Sequence, residues 1–125
     1  MLPIYLSEGC KVDITQTSGK CEGIRFGVVR DGKEVARAFL YVMHNDLHSR
    51  PFGLLEDVFV DERSRGSGIG RDVVNEVNRV ARERRCYKLI ATSRHSRPRV
   101  HKLYERLGFA NHGLEYRIDF DRARL

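Results

Sequence analysis

No stretch of this chain approaches the ~18 consecutive apolar residues of a membrane span, and Met1-Leu2-Pro3-Ile4-Tyr5 lacks the basic start and long apolar run of a secretion signal. A soluble, cytoplasmic protein is expected on both grounds. Cysteine is scarce: Cys10, Cys21 and Cys86 are odd in number, show no C-x-x-C spacing and adjoin apolar segments. They read as free thiols, buried or half-buried, and not as a disulfide framework. Cys86 follows Arg82, Arg84 and Arg85, a setting that can activate a thiol, but its place at the opening of a strand favours packing. Repeats, low-complexity runs and linkers are also absent. Its 125 residues therefore read as a single domain over residues 1–125, enough for one core and too few for a second.

What is present is an ordinary globular balance of 41% apolar and 32% charged residues, with a net charge of +6 that favours polyanionic ligands in general. The basic residues form no continuous tract and are not interleaved with exposed aromatics, so nucleic acid is not the expected partner. His44 and His48 are four apart, but they lie in a polar loop with no third ligand nearby, and no metal is expected.

Periodicity outlines the elements. Residues 11–17 alternate weakly and suggest a first strand. Segments 23–30 and 34–43 are stronger strands, joined by Asp31-Gly32, a two-residue type I′ hairpin signal. A polar loop over 44–51 leads into a strand over 53–60. Ile69, Val73, Val74, Val77, Val80 and Ala81 then recur at helical spacing to about Arg85, with Arg71, Glu76, Arg79 and Glu83 on the other face. The basic cluster at its end suits the negative pole of the helix dipole. A strand over 87–92 follows, then a helix opened by Pro98 and stopped by Gly108, with Val100, Leu103, Tyr104 and Leu107 inward. Residues 115–120 alternate and are expected to close the sheet as a hairpin strand. Strands first, then strand-helix-strand-helix-strand, predict an α+β fold: a mixed, mostly antiparallel sheet with helices packed on it.

Between the strand 53–60 and the first helix stands Arg65-Gly66-Ser67-Gly68-Ile69-Gly70. Three glycines in five positions leave backbone N–H groups unshielded, and the helix adds its own unpaired N–H groups and positive pole. An anion suits such a turn; a tight chain reversal would also explain it. Gly70 is followed by Arg71-Asp72 and not by Lys-Ser/Thr, which excludes a P-loop, and Gly-x-Gly-x-Gly is not the dinucleotide fingerprint.

Arg65, Gly68 and Gly70 match the Arg-x-x-Gly-x-Gly signature of the GNAT N-acetyltransferases, and His101-Lys102-Leu103-Tyr104-Glu105-Arg106-Leu107-Gly108-Phe109 resembles that family's second motif, in the expected order and separation. The likeness covers about residues 53–120. Within the family, Glu56-Asp57-Val58 together with Cys86-Tyr87-Lys88 is most similar to the glucosamine-phosphate branch. The resemblance implies a GNAT-like fold and transfer of an acetyl group from acetyl-coenzyme A to a primary amine, without a covalent enzyme intermediate and without a metal. It implies that Arg65, Gly66, Ser67, Gly68, Ile69, Gly70 and Arg71 hold the pyrophosphate. The backbone of Val58, Phe59 and Val60 would pair with the pantetheine arm, and a backbone N–H near Val58 would polarise the thioester.

Tyr104 takes the family's general-acid position, although its place on the inward stripe also suits a core tyrosine. Glu56 and Asp57 are charges in an otherwise apolar strand, where function or pairing must account for them. Alternation sends them to opposite faces. Glu56 is the one expected to serve the acceptor amine, as base or as binding group; a salt-bridged structural role is the other reading. His101 fits the family's helix, near the cofactor or facing solvent, while His95, Arg94 and Arg97 lie on a loop that suits an acidic or phosphorylated acceptor or solvent alone.

The resemblance departs from its pattern at the front, where residues 1–22 are too few for the usual two helices. A partner subunit in a homodimer, or the loop 44–51, would have to complete the acceptor pocket. An amino-sugar phosphate is the first expected acceptor, with a polyamine, an aminoglycoside or a protein amine behind it. A non-catalytic coenzyme A sensor or a nucleic-acid binder is the alternative outside this chemistry.

Overall fold

The computed structural model describes residues 12–121. Strands β1 (Cys21–Arg30), β2 (Lys33–Met43) and β3 (Phe52–Val60) form an antiparallel meander, and β4 (Leu89–Ala91) adds to β3 in parallel. Helix α1 (Ile69–Glu83) connects β3 to β4, and α2 (Pro98–Arg106) follows. The sheet runs in the order β1-β2-β3-β4, so the α+β expectation of a mixed, mostly antiparallel sheet holds.

The hairpin turns at Asp31 (φ 52°) and Gly32 (φ 76°), the double positive φ that its type requires, and sets Arg30 opposite Lys33. Along β2, Ala36, Ala38, Leu40 and Val42 are buried toward α1. Two of these four are alanines, which lets the helix lie close to the sheet. From α1 come Ile69, Val73, Val74, Val77 and Ala81, all buried, the stripe predicted from the spacing. Leu40, Leu55, Val74 and Val77 are fully enclosed, each worth about 1.5–3 kcal/mol of burial. On the outer surface of α1, Arg79 bridges Glu76 at 2.5 Å and Glu83 at 2.8 Å, exposed pairs that solvent screens.

Four expectations need correction. Residues 12–20 form no strand, and Lys11 lies outside the described residues. The strand predicted over 87–92 is shorter, Leu89–Ala91. Residues 115–120 form no strand either; alternation marks two faces but cannot supply the neighbour a ladder needs. Cys21 is exposed at the start of β1, while Cys86 is half-buried against the core as expected; Cys10 lies outside the described residues.

Helix α1 ends in a Schellman motif in which Arg85 N–H donates to the Arg82 carbonyl (2.9 Å) and Cys86 N–H to the Ala81 carbonyl (3.0 Å). The left-handed position belongs to Arg85 (φ 64°), where glycine is usual. Arg50 braces this turn, its Nε donating to the Arg85 carbonyl at 2.8 Å and its Nη2 to that of Cys86 at 3.3 Å. Arg85→Gly should therefore stabilise the fold by roughly 0.5–1 kcal/mol, read as a raised midpoint in urea. An unchanged or lowered midpoint would mean that the left-handed arginine carries no strain.

Candidate active site

The chain leaves β3 at Val60, passes a 3-10 turn (Glu62–Ser64) and enters α1 through Gly66 (φ 81°) and Gly68 (φ 89°), both left-handed. Gly68 is the N-cap and offers no side chain. The helical ladder starts with Asp72 N–H to the Gly68 carbonyl (3.0 Å), so the N–H groups of Ile69, Gly70 and Arg71 have no acceptor in the helix. They point from the positive pole into a turn stripped of side chains, a fit for a pyrophosphate.

The neighbouring residues hold this turn in place. A Cβ at Gly70 would lie 3.3 Å from Val60 Cγ2, so glycine allows the helix to begin against the strand end. A Cβ at Gly68 would lie 3.2 Å from Arg71 Nη2, which puts that guanidinium at the turn. Arg65 Nε donates to the Val60 carbonyl at 3.1 Å, pinning turn to strand while its remaining N–H groups stay available. The Ser67 hydroxyl donates to the Ser64 carbonyl and is spent within the turn.

Strand β3 is regular up to Leu55 and irregular beyond it. Against β2, Phe39 pairs with Glu56 but Arg37 pairs with Phe59, so two steps of β2 face three of β3. This is a bulge, with Asp57 at φ 50°. Leu55 and Val58 both face the core across the extra residue, and the strict alternation expected at 56–57 gives way. Pairing with β4 stops at Leu55 opposite Ala91. From Glu56 to Val60, β3 thus has a neighbour on its β2 edge only, leaving the stretch with Val58, Phe59 and Val60 open on the other.

Tyr104 is held by the end of its own helix. Gly108 (φ 97°) turns left-handed, its N–H donates to the Glu105 carbonyl (3.1 Å), and Phe109 N–H donates to that of Tyr104 (2.9 Å). This Schellman closure brings the Phe109 ring 5.2 Å from the Tyr104 ring. Glycine followed by an aromatic is thereby a device for fixing a tyrosine. Burial, and secondarily the charge of Glu56, push the Tyr104 phenol above its ordinary pKa. Glu56 is itself pushed up, first by burial, then by Asp57 and Glu115. The two sequence-predicted catalytic groups therefore sense one another, and Glu115 is an addition without a signal in the sequence, since its segment was expected in a closing strand.

Other candidates fall elsewhere. His101 Nε2 is 2.8 Å from the Arg94 carbonyl, which ties the start of α2 to the preceding loop. His48 packs on Tyr87 with ring centres 4.6 Å apart. Burial raises the Cys86 thiol pKa despite nearby Arg50, which suits packing and not a reactive thiolate. Among the described residues no group of three or more His, Cys, Asp or Glu is placed to hold a metal, and no helix is long and apolar enough to cross a membrane.

An anion cradle at the end of a half-open strand, with a caged tyrosine beside it, is the arrangement of an acyl-coenzyme A transferase fold. The profile of the acetyltransferase (GNAT) family matches residues 5–109, and the chain belongs to that family. Glucosamine 6-phosphate N-acetyltransferase of Trypanosoma brucei brucei is 38% identical over 71 residues, 56% of this chain and 46% of that protein. Aminoglycoside N(6')-acetyltransferase type 1 of Stenotrophomonas maltophilia is 31% identical over 101 residues, 78% of this chain and 66% of that one. The crystal structure of glucosamine-6-phosphate N-acetyltransferase from Arabidopsis thaliana superposes with a TM-score of 0.72 at 25% identity, covering 79% of this chain and 67% of that one. This chain spans between about half and two thirds of the lengths of these relatives.

Because the folded-state pKa of Glu56 lies above its unfolded value, the folded protein holds that proton more tightly and loses stability as pH rises through the interval between the two. Glu56→Gln should raise the thermal midpoint at pH 7, and the gain should shrink as pH falls through the ordinary carboxylate range near about 4.3. A lowered midpoint at pH 7 would indicate that Glu56 is a structural anchor.

Proposed function

We propose that the chain is an acetyl-coenzyme A-dependent N-acetyltransferase that acts on the primary amine of an amino sugar by direct transfer in a ternary complex. The observation that carries this reading is the half-open β3: its unpaired edge runs from the carboxylate of Glu56 to the N–H cradle before α1. Ile69, Gly70 and Arg71 N–H, with Arg65 and Arg71 side chains, would hold the donor's pyrophosphate. The free edge at Val58, Phe59 and Val60 would align its amide-bearing arm as a strand does.

In the transfer, Glu56 takes a proton from the ammonium, directly or through a water, and its raised pKa improves it as an acceptor. The amine nitrogen attacks the thioester carbonyl carbon, whose oxygen is stabilised by a backbone N–H near Val58. The C–S bond then breaks, the Tyr104 phenol gives its proton to the departing sulfur, and the second proton shed by the acylated nitrogen restores the phenol while Glu56 passes its own proton to solvent. A raised pKa keeps that phenol protonated until a thiolate forms.

Two acceptors follow from the names of the relatives, an amino-sugar phosphate and an aminoglycoside. The first agrees with the glucosamine-phosphate resemblance. One observation favours the second: Glu56, Asp57 and Glu115 crowd their charges at one place, and no ion pair to any of them occurs among the described residues. Several ammonium groups would neutralise them, whereas the nearby cation, Arg117, feels Glu115 but is already paired with Asp119.

Calorimetric titration with acetyl-coenzyme A should show micromolar binding that Gly68→Val abolishes, because valine is strained at φ 89° and would press on Arg71. Folding of the variant is checked by its thermal transition. Thiol release with glucosamine 6-phosphate and with an aminoglycoside then ranks the acceptors by kcat/KM; cofactor binding with no turnover of any amine would identify a sensor instead. Tyr104→Phe should lower kcat by about 10²-fold or more while changing donor affinity little. An unaltered kcat would remove its acid role.

A further inference from the structure

The sheet has a second face, turned away from α1, and the register of its ladders lays that face out in rows. Opposed residues of paired strands share a face. Gly23, Tyr41, Leu54 and Ile90 therefore form one row, Arg25, Phe39 and Glu56 the next, and Gly27, Arg37 and Phe59 the one after it, across the bulge. This face is aromatic and basic. The Phe39 and Tyr41 rings lie nearly parallel (9°) with centres 6.2 Å apart, the Arg25 guanidinium lies over Phe39 at 5.7 Å, and that of Arg37 over Phe59 at 4.7 Å. The two arginines are not equivalent. Arg25 is spent on Glu34, meeting its two carboxylate oxygens at 2.6 and 2.7 Å. A Cβ on Gly27 would lie 2.9 Å from Glu34 Oε1, so bare backbone in that row is what lets the carboxylate fold over the sheet. Arg37 is half-buried and makes no ion pair among the described residues. Glu34 feels its charge but gives both oxygens to Arg25. The Phe59 ring thus fixes the Arg37 cation without neutralising it.

We propose that Arg37 is a specificity-determining residue, which takes a phosphate monoester on the acceptor while the acceptor's amine lies at Glu56. The inference rests on the acyl-transfer reading above and chooses between its two acceptors. The carboxylates around Glu56 call for an ammonium in either case. What separates the acceptors is the next row, about 7 Å farther along β2. There an aminoglycoside would bring a further cation against Arg37, and an amino-sugar phosphate would bring its phosphate, since one hexose with its phosphate arm bridges two adjacent rows of a sheet. The guanidinium offers that group paired N–H donors as well as charge.

Calorimetric titration of the full chain with glucosamine 6-phosphate and with glucosamine, in the presence of coenzyme A, tests this, together with thiol release from acetyl-coenzyme A. The unsubstituted chain should favour the phosphorylated sugar by about tenfold or more, in dissociation constant and in KM. Arg37→Gln should bring that ratio to about one, and Arg37→Lys, which keeps the charge but not the paired donors, should fall between. Thermal transitions show that both variants are folded, and their affinity for coenzyme A shows that the cleft is intact. Failure to bind either sugar, or equal affinity for both, would overturn the proposal, as would a ratio that survives Arg37→Gln or a loss that falls equally on the two sugars. Binding is read apart from turnover, so an Arg37-dependent preference with no thiol release from any amine would keep this site and remove the transferase reading.

Discussion

A strand paired along one edge is the constraint on which the site depends. Backbone N–H and C=O groups must find partners, and in β3 they do so on both sides only as far as Leu55. Beyond it, β2 still fixes the strand's position while the opposite edge is left to whatever enters the cleft. That edge is rigid because Val58 and Val60 pack on the core and Ala36 pairs with Val60. A bound chain with alternating donors and acceptors would thus meet a template already in place, with little ordering cost on the protein's side.

The bulge is what allows this strand to serve both core and cleft. Asp57 in the left-handed region costs of order 1 kcal/mol or more, though aspartate tolerates it better than most residues. The core enforces it. Leu55, Val58 and Val60 all face the core, at a spacing of three and then two, and a regular strand cannot satisfy that set. Removing the extra residue would turn either Leu55 or the two valines out of the interior, at a cost larger than the strain. The local irregularity that breaks the ladder is therefore held by packing on the far side of the sheet, and the carboxylate of Glu56 inherits its position from it.

Elements whose cause is local were legible in the sequence. Asp31-Gly32 names its turn because both residues must take positive φ, the stripe on α1 follows from helical spacing, and Pro98 and Gly108 bracket α2 by their backbone chemistry. The glycines of 66–70 likewise announced a turn with bare N–H groups. What escaped were features set by distant neighbours. The charged pair Glu56-Asp57 in an apolar strand signalled something irregular, but whether alternation survives there depends on what Leu55 and Val58 meet. The pattern of 114–120 gives two faces without saying whether a neighbour exists. Cys21, at the outer strand, and Arg50, bracing a turn after another helix, depend on contacts 22 to 36 residues away in the chain.

The polarity of the cleft gives the proposed chemistry its direction. At one end stand three free N–H groups and the guanidinium groups of Arg65 and Arg71; at the other, Glu56, Asp57 and Glu115 concentrate negative charge. From Glu56 to Val60 the strand spans about 13 Å. Over such a distance, with a wall of protein behind it, opposite fields are only partly averaged by solvent. An anionic donor and a cationic acceptor would be sorted to opposite ends before any specific contact forms. The crowding of carboxylates that adds to burial in raising the Glu56 pKa is thus two things at once. It is a repulsion the empty fold must hold, and it is relieved in part when an ammonium arrives and surrenders its proton there. Glu56 then becomes neutral as the amine becomes a nucleophile, so the energy stored in the like-charge cluster favours the deprotonation that the transfer requires.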